Sequence, residues 1–149
     1  MKGYIPWDRV DAQLHALRSL WVCTTRPDGR PHAMPVWFTW DGHTLYFATH
    51  ASSQKAKNVQ HQPAVIVHAG DGGDVIVIEG TAVVVTDEAE IQRVDRERAA
   101  KYVDPPTGAR DTILVEGTVL YRLRPRHVMT WMYGDLRGRT DWWERDGAW

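Results

Sequence analysis

The chain of 149 residues and 17.0 kDa carries 18 basic and 19 acidic side chains, and a formal charge of -1 leaves no broad positive field for nucleic acid or an anionic membrane. With 43% hydrophobic and 25% charged residues the composition is that of one globular domain, spanning 1–149. Cys23 is the only cysteine, which excludes a disulfide framework and a cysteine-based zinc site; residues 1–10 hold no apolar signal core, and no apolar run approaches the ~20 residues of a membrane span. A cytoplasmic protein with no membrane and no nucleic-acid partner is expected.

Along the chain, Asp8 is placed to cap a helix in which Val10, Leu14 and Leu17 form one apolar stripe. From Leu20 the pattern becomes strand-like: residues 20–25, a Pro27-Asp28-Gly29 turn, the run from Pro31 to Trp40, an Asp41-Gly42 turn, then Thr44 to Thr49. Such turns between β-rich runs predict a three-stranded antiparallel meander. A short helix to about Gln60 follows, then a strand from Ala64 to His68 after Pro63. The longest apolar stretch, Val75 to Val85, is apolar on both alternating faces, which predicts a strand covered on both sides. Thr86-Asp87 starts a helix from Glu88 to about Val103, stopped by Asp104-Pro105-Pro106. Strands are predicted at Val119–Leu123 and Val128–Met132, and the tryptophan-rich tail has no assignment. Strands that arrive as hairpins fit no βαβ alternation, so the expected fold is mainly β with inserted helices, a small antiparallel barrel.

The chemistry concentrates where the Thr44 to Thr49 strand meets the next helix. Ser53 and Lys55 fall in the helix's first turn, where free backbone N–H groups and the dipole favour an anion, and hydroxyls with an ammonium complete a phosphate site. Ser52 to Lys55 also spells the Ser-x-x-Lys of serine acyl-enzymes. Its Ser-Asp-Asn and Lys-Thr-Gly partners are absent from the sequence, so that chemistry is rejected.

In order and spacing, Arg26-Pro-Asp-Gly-Arg-Pro31 leading into Pro35-Val-Trp-Phe38, then Leu45-Tyr-Phe-Ala-Thr49, Ser53-Gln-Lys-Ala-Lys-Asn58 and Glu79-Gly-Thr-Ala82 resemble the flavin and deazaflavin oxidoreductases of the split β-barrel fold, the pyridoxamine phosphate oxidase-like superfamily. The resemblance covers about residues 10 to 132. It implies an antiparallel split β-barrel homodimer that binds flavin mononucleotide (FMN) or the deazaflavin F-420 between subunits. On that pattern Ser53 and Lys55 match phosphate-binding positions, with Thr49, Lys57 and Asn58 beside them. The backbone of Ala33, Met34, Pro35, Val36 and Trp37 faces the ring. The C-terminal Arg-Leu-Ala-Pro of the vitamin B6 oxidases is absent, and the chain ends in Trp142-Trp-Glu-Arg-Asp-Gly-Ala-Trp149. For the acidic tail of a deazaflavin the available cations are Lys57, Arg30, Arg137 and Arg139.

The histidines show no His-x-x-x-His or His-Glu-x-x-His spacing, and no carboxylate joins them in a recognisable ligand set, so no metal is expected. His32 and His50 lie near the implied ring and phosphate regions. Trp37 and Trp40, an odd number apart, point to opposite sides of one strand; Trp131, Trp142, Trp143 and Trp149 are candidates for a pocket wall or a dimer interface. The expected function is hydride transfer between a flavin-type cofactor and a small organic substrate, with no catalytic side chain assignable. The alternative is a carrier of flavin, deazaflavin or heme without turnover.

Overall fold

The computed structural model describes residues 5–133 and 139–143. Helix α1 (Trp7–Ala16) buries Val10 and Leu14. Pro6, not Asp8, holds its cap position; Asp8 sits inside the first turn, where its charge meets the helix dipole, and Leu17, at the C-cap, packs partly buried against the same core as Val10 and Leu14. Strands β1 (Leu20–Thr25) and β2 (Pro31–Val36) form a hairpin whose turn places Gly29 at φ 88°, a conformation suited to glycine.

The run expected as one strand from Pro31 to Trp40 breaks at Trp37. Strand β3 (Phe38–Trp40) pairs with β4 (Leu45–His50), and β2 pairs with β1. After helix α2 (Gln54–His61) come β5 (Ala64–Ala69) and β6 (Asp74–Val84), helix α3 (Glu88–Lys101), and β7 (Thr118–Met132) and β8 (Thr140–Trp143). The sheet order is β2-β1-β5-β6-β7-β4-β3, with β8 against β7. The expected meander is therefore two hairpins at opposite edges of one antiparallel sheet. Because β2 and β3 are consecutive in the chain but lie at the two ends of that order, the sheet curls until its edges meet at Trp37. This is a split β-barrel.

The two strands expected at 119–123 and 128–132 are one, β7. Pro125 stands opposite Gly80 at a bulge in the β6–β7 ladder. The other edge of β7 is paired by β4 through Leu123 and by β8 only from His127, so the proline falls in the gap where no ladder bond is needed.

The main core fills the barrel with Val22, Phe38, Leu45, Phe47, Val67, Ile76, Ile78, Leu123 and Val128, joined by Val10 and Leu14 of α1 and Ala56 and Val59 of α2. A second cluster, Tyr46, Val85, Val94, Ile113 and Leu120, lies under α3. The outer face of β6 was expected to be covered. In the chain it is open, with Val83 45% exposed; Ile66 and Trp131 are exposed on the neighbouring strands β5 and β7, and Trp21 on β1 beyond β5. No helix among the described residues is long and apolar enough to cross a membrane.

Candidate functional site

Ser53 caps α2, and its Oγ accepts a hydrogen bond from the Ala56 amide at 3.1 Å. The Thr49 hydroxyl, from the end of β4, donates to the same oxygen at 3.0 Å. With two bonds accepted, the Ser53 hydrogen remains free to donate. The amides of Gln54 and Lys55 have no helical acceptor, as at every helix start, and no other acceptor among the described residues. Lys55 is half-buried beside them, while Lys57 is exposed. A hydroxyl hydrogen, two unpaired N–H groups and a half-buried lysine thus belong to the first turn of one helix.

Asn58 faces the other way. It is fully buried, donating to the Thr24 hydroxyl at 2.9 Å and accepting from the Gln54 side chain at 2.7 Å, so it ties α2 to β1. Ser52 is engaged with His50, whose Nδ1 lies 2.6 Å from its hydroxyl. His32, on β2 opposite Thr24, has a buried Nδ1 with no partner among the described residues. Burial first, then the positive charges of Arg26 and Lys55, hold its pKa below the usual value and favour the neutral ring.

Ala33, Met34, Pro35 and Val36 lie on β2, an edge strand paired among the described residues only with β1, so one row of its backbone groups faces the split. Met34 is 44% exposed there. Trp37 is 48% exposed and stacks on Tyr102 at 4.7 Å. Trp37 and Trp40 are not on one strand as expected; Trp40, on β3, is buried and donates its Nε1 to Asp11 at 2.7 Å. The Tyr102 hydroxyl receives the Phe38 amide at 3.0 Å and lies 2.7 Å from both the Arg18 and Phe38 carbonyls, which fixes the barrel seam to the end of α3.

Of the cations expected for an acidic tail, Arg30 is paired with Asp28 at 2.8 Å and Arg139 with Asp141 at 2.8 Å; Arg137 lies outside the described residues. Among the histidines, His127 does sit with carboxylates, 2.7 Å from Asp141 and 3.7 Å from Glu79, a constellation formed across β6, β7 and β8 that no sequence spacing announces. Among the described residues no group of three or more His, Cys, Asp or Glu is arranged to hold a metal ion. Trp142 packs edge-on against Trp7 at 5.4 Å, Trp149 lies outside the described residues, and of Trp143 only its place in β8 is described.

Among curated proteins, an F-420H(2)-dependent biliverdin reductase of Mycobacterium tuberculosis is 29% identical over 95 residues, 62% of this chain and 69% of that protein. Among solved structures, a conserved hypothetical protein of Mycobacterium tuberculosis superposes with a TM-score of 0.76 at 24% identity, over 91% of this chain and 89% of that one. A heme binding protein of Mycobacterium smegmatis gives a TM-score of 0.71 at 14% identity, over 94% of this chain and 59% of that one. These likenesses carry the fold. Residues 6–132 match the pyridoxamine 5'-phosphate oxidase family model, and the chain belongs to that family of flavin-binding split barrels.

Proposed function

We propose that this chain is an oxidoreductase that holds a flavin-type cofactor by its phosphate at the start of α2 and transfers a hydride to or from a small organic substrate. The observation that supports the proposal is the start of α2, where Ser53 keeps a hydroxyl hydrogen to donate, two amides lack an acceptor among the described residues, and Lys55 is half-buried in the same turn. Those donors fit a phosphomonoester, since each either carries charge or points a hydrogen outward.

The bound cofactor would supply the hydride chemistry. The chain's own residues would fix it: Lys55 and Ser53 at the phosphate, Thr49 holding Ser53 in position, and the free edge of β2 from Ala33 to Val36 offering N–H and C=O groups to a ring. One of those residues is constrained. Pro35 has no N–H to give, so any donor on that edge comes from Ala33, Met34 or Val36. Trp37 and Met34 present apolar surface that would keep water from one side of the ring.

The cofactor we favour is the deazaflavin, with FMN as the other candidate. Support comes from the relative whose name includes F-420, not from the cations, since Arg30 and Arg139 are already paired within the chain. We further propose a cytoplasmic homodimer closed over the exposed outer sheet face at Trp21, Ile66 and Trp131.

The test is the absorption spectrum and mass of whatever copurifies, followed by reduction and reoxidation with candidate substrates. A flavin or deazaflavin chromophore that cycles supports the proposal. A chromophore that does not cycle, or a heme spectrum, would favour a carrier, for which the fold likeness to a heme binding protein is the motive.

A further inference from the structure

On a strand, alternate residues share a face at intervals of ~6.6–6.8 Å. Arg122, Arg124 and Arg126 follow one another in this way along β7. Across from them on β6 stand Val83, opposite Arg122, and Thr81, opposite Arg124. The bulge between Glu79 and Gly80 leaves Arg126 as the extra residue, between Pro125 and His127, without a partner in the register. Together the three arginines, Thr81 and Val83 line a cleft of about 230 Å³.

Only Arg122 is neutralised, by Glu90 of α3 at 2.8 Å. Arg124 and Arg126 are exposed and have no hydrogen bond or ion pair among the described residues. The carboxylate of the adjoining groove, Glu79, lies 3.7 Å from His127. That groove, about 790 Å³, shares Thr81 and Arg126 with the cleft, so the two are continuous. Like charges side by side on one face repel, and a chain of net charge -1 has no general surplus of cations to explain the row.

We propose that this cleft binds a small polyanion, one that presents two or more oxyanion groups at strand spacing to the guanidinium forks of Arg124 and Arg126, with the Thr81 hydroxyl as a further donor. Planar five-donor guanidinium groups suit both carboxylate and phosphate oxygens through paired bonds. The ligand is either a free polyanion or an acidic tail carried on a larger molecule. The site lies on the outer face of β6 and β7, and it does not require the α2 phosphate site to be occupied.

The test is calorimetry at low ionic strength on the full chain with tripolyphosphate, with triglutamate, and with acetate as a single-charge control. The multivalent probes should bind saturably and acetate at least 100-fold more weakly. Arg124→Gln with Arg126→Gln should weaken the multivalent probes at least tenfold with the thermal melt unchanged, and Arg124→Lys with Arg126→Lys should fall between. If F-420 displaces triglutamate and FMN does not, the polyanion is a cofactor tail; if neither displaces it, the ligand is separate. The proposal is overturned by probes that do not saturate, by unchanged affinity in the glutamine double variant, or by a change of particle mass in that variant, which would make the arginines subunit contacts.

Discussion

Lys101 ends α3 with its ammonium 3.9 Å from the centre of the Phe38 ring and 3.2 Å from the Phe38 carbonyl, two contacts that favour the charged form. Burial, and then the positive charges of Arg18 and Arg98, outweigh them and bring its pKa from 10.5 down to about 8. The unfolded chain keeps this proton to about 10.5 and the folded chain releases it near 8, so between those values the unfolded state binds more protons and stability rises with pH. Urea unfolding should therefore show the wild type gaining on Lys101→Met from about pH 7 to about pH 10; a constant difference would mean that the amine is not perturbed. Asn58 supplies a second residue-scale prediction. Asn58→Ala strands the Thr24 hydroxyl in the core and should cost about 1–3 kcal/mol in denaturant unfolding. If Asn58→Ala left stability unchanged and abolished cofactor binding, the side chain would face ligand, as the resemblance implied.

At the scale of elements, Gly80 and Pro125 form one device. A methyl group added at Gly80 would stand 2.7 Å from the Arg124 carbonyl and 3.0 Å from the Leu123 side chain, so Gly80→Ala must push β6 and β7 apart. Its midpoint should drop well below that of Thr81→Ala, a substitution on the open face of the same strand; equal midpoints would show that the bulge tolerates the change. Asp87 caps α3 through the Glu90 amide at 2.9 Å, and Asp87→Ala should cost roughly 1 kcal/mol.

These elements also mark how far the sequence could be read. The turn at Pro27-Asp28-Gly29, the α3 cap at Asp87 and the helix start at Ser53 are local, each decided by residues within a few positions, and all appear where their composition places them. The break at Trp37 is not local. Nothing in Pro35-Val36-Trp37-Phe38 distinguishes one long strand from two that part to opposite sheet edges; closure of the barrel decides it. Pro125 reads as a strand breaker because the missing N–H matters only where a neighbour strand demands it, and the gap between β4 and β8 removes that demand. The pairing of His127 with Asp141 depends on β8, whose polar, tryptophan-rich sequence carries no alternation. At the candidate site, the closeness of Thr49 to Ser53 was legible because one strand end and one helix start are adjacent in the chain. The inward turn of Asn58 was not, because it answers to Thr24 on another strand.

For the molecule as a whole, the inner sheet face is closed over the core, while Trp21, Ile66 and Trp131 leave apolar side chains uncovered on the outer face, apart from the arginine cleft of β6 and β7. A homodimer closed over that face should scatter light as about twice 17.0 kDa, and Ile66→Lys should yield monomer. A parent protein that is monomeric at micromolar concentration and still binds cofactor would remove the dimer from the proposal. The proposed phosphate site is reached most directly by calorimetric titration of FMN and of the deazaflavin into the parent, Lys55→Ala and Lys57→Ala. Lys55→Ala should weaken either cofactor by about 1.5–3 kcal/mol, the worth of a charge-assisted hydrogen bond, with a smaller loss for Lys57→Ala and the deazaflavin held more tightly than FMN by the parent. Parent-like affinity in both lysine variants would contradict a phosphate site at the start of α2.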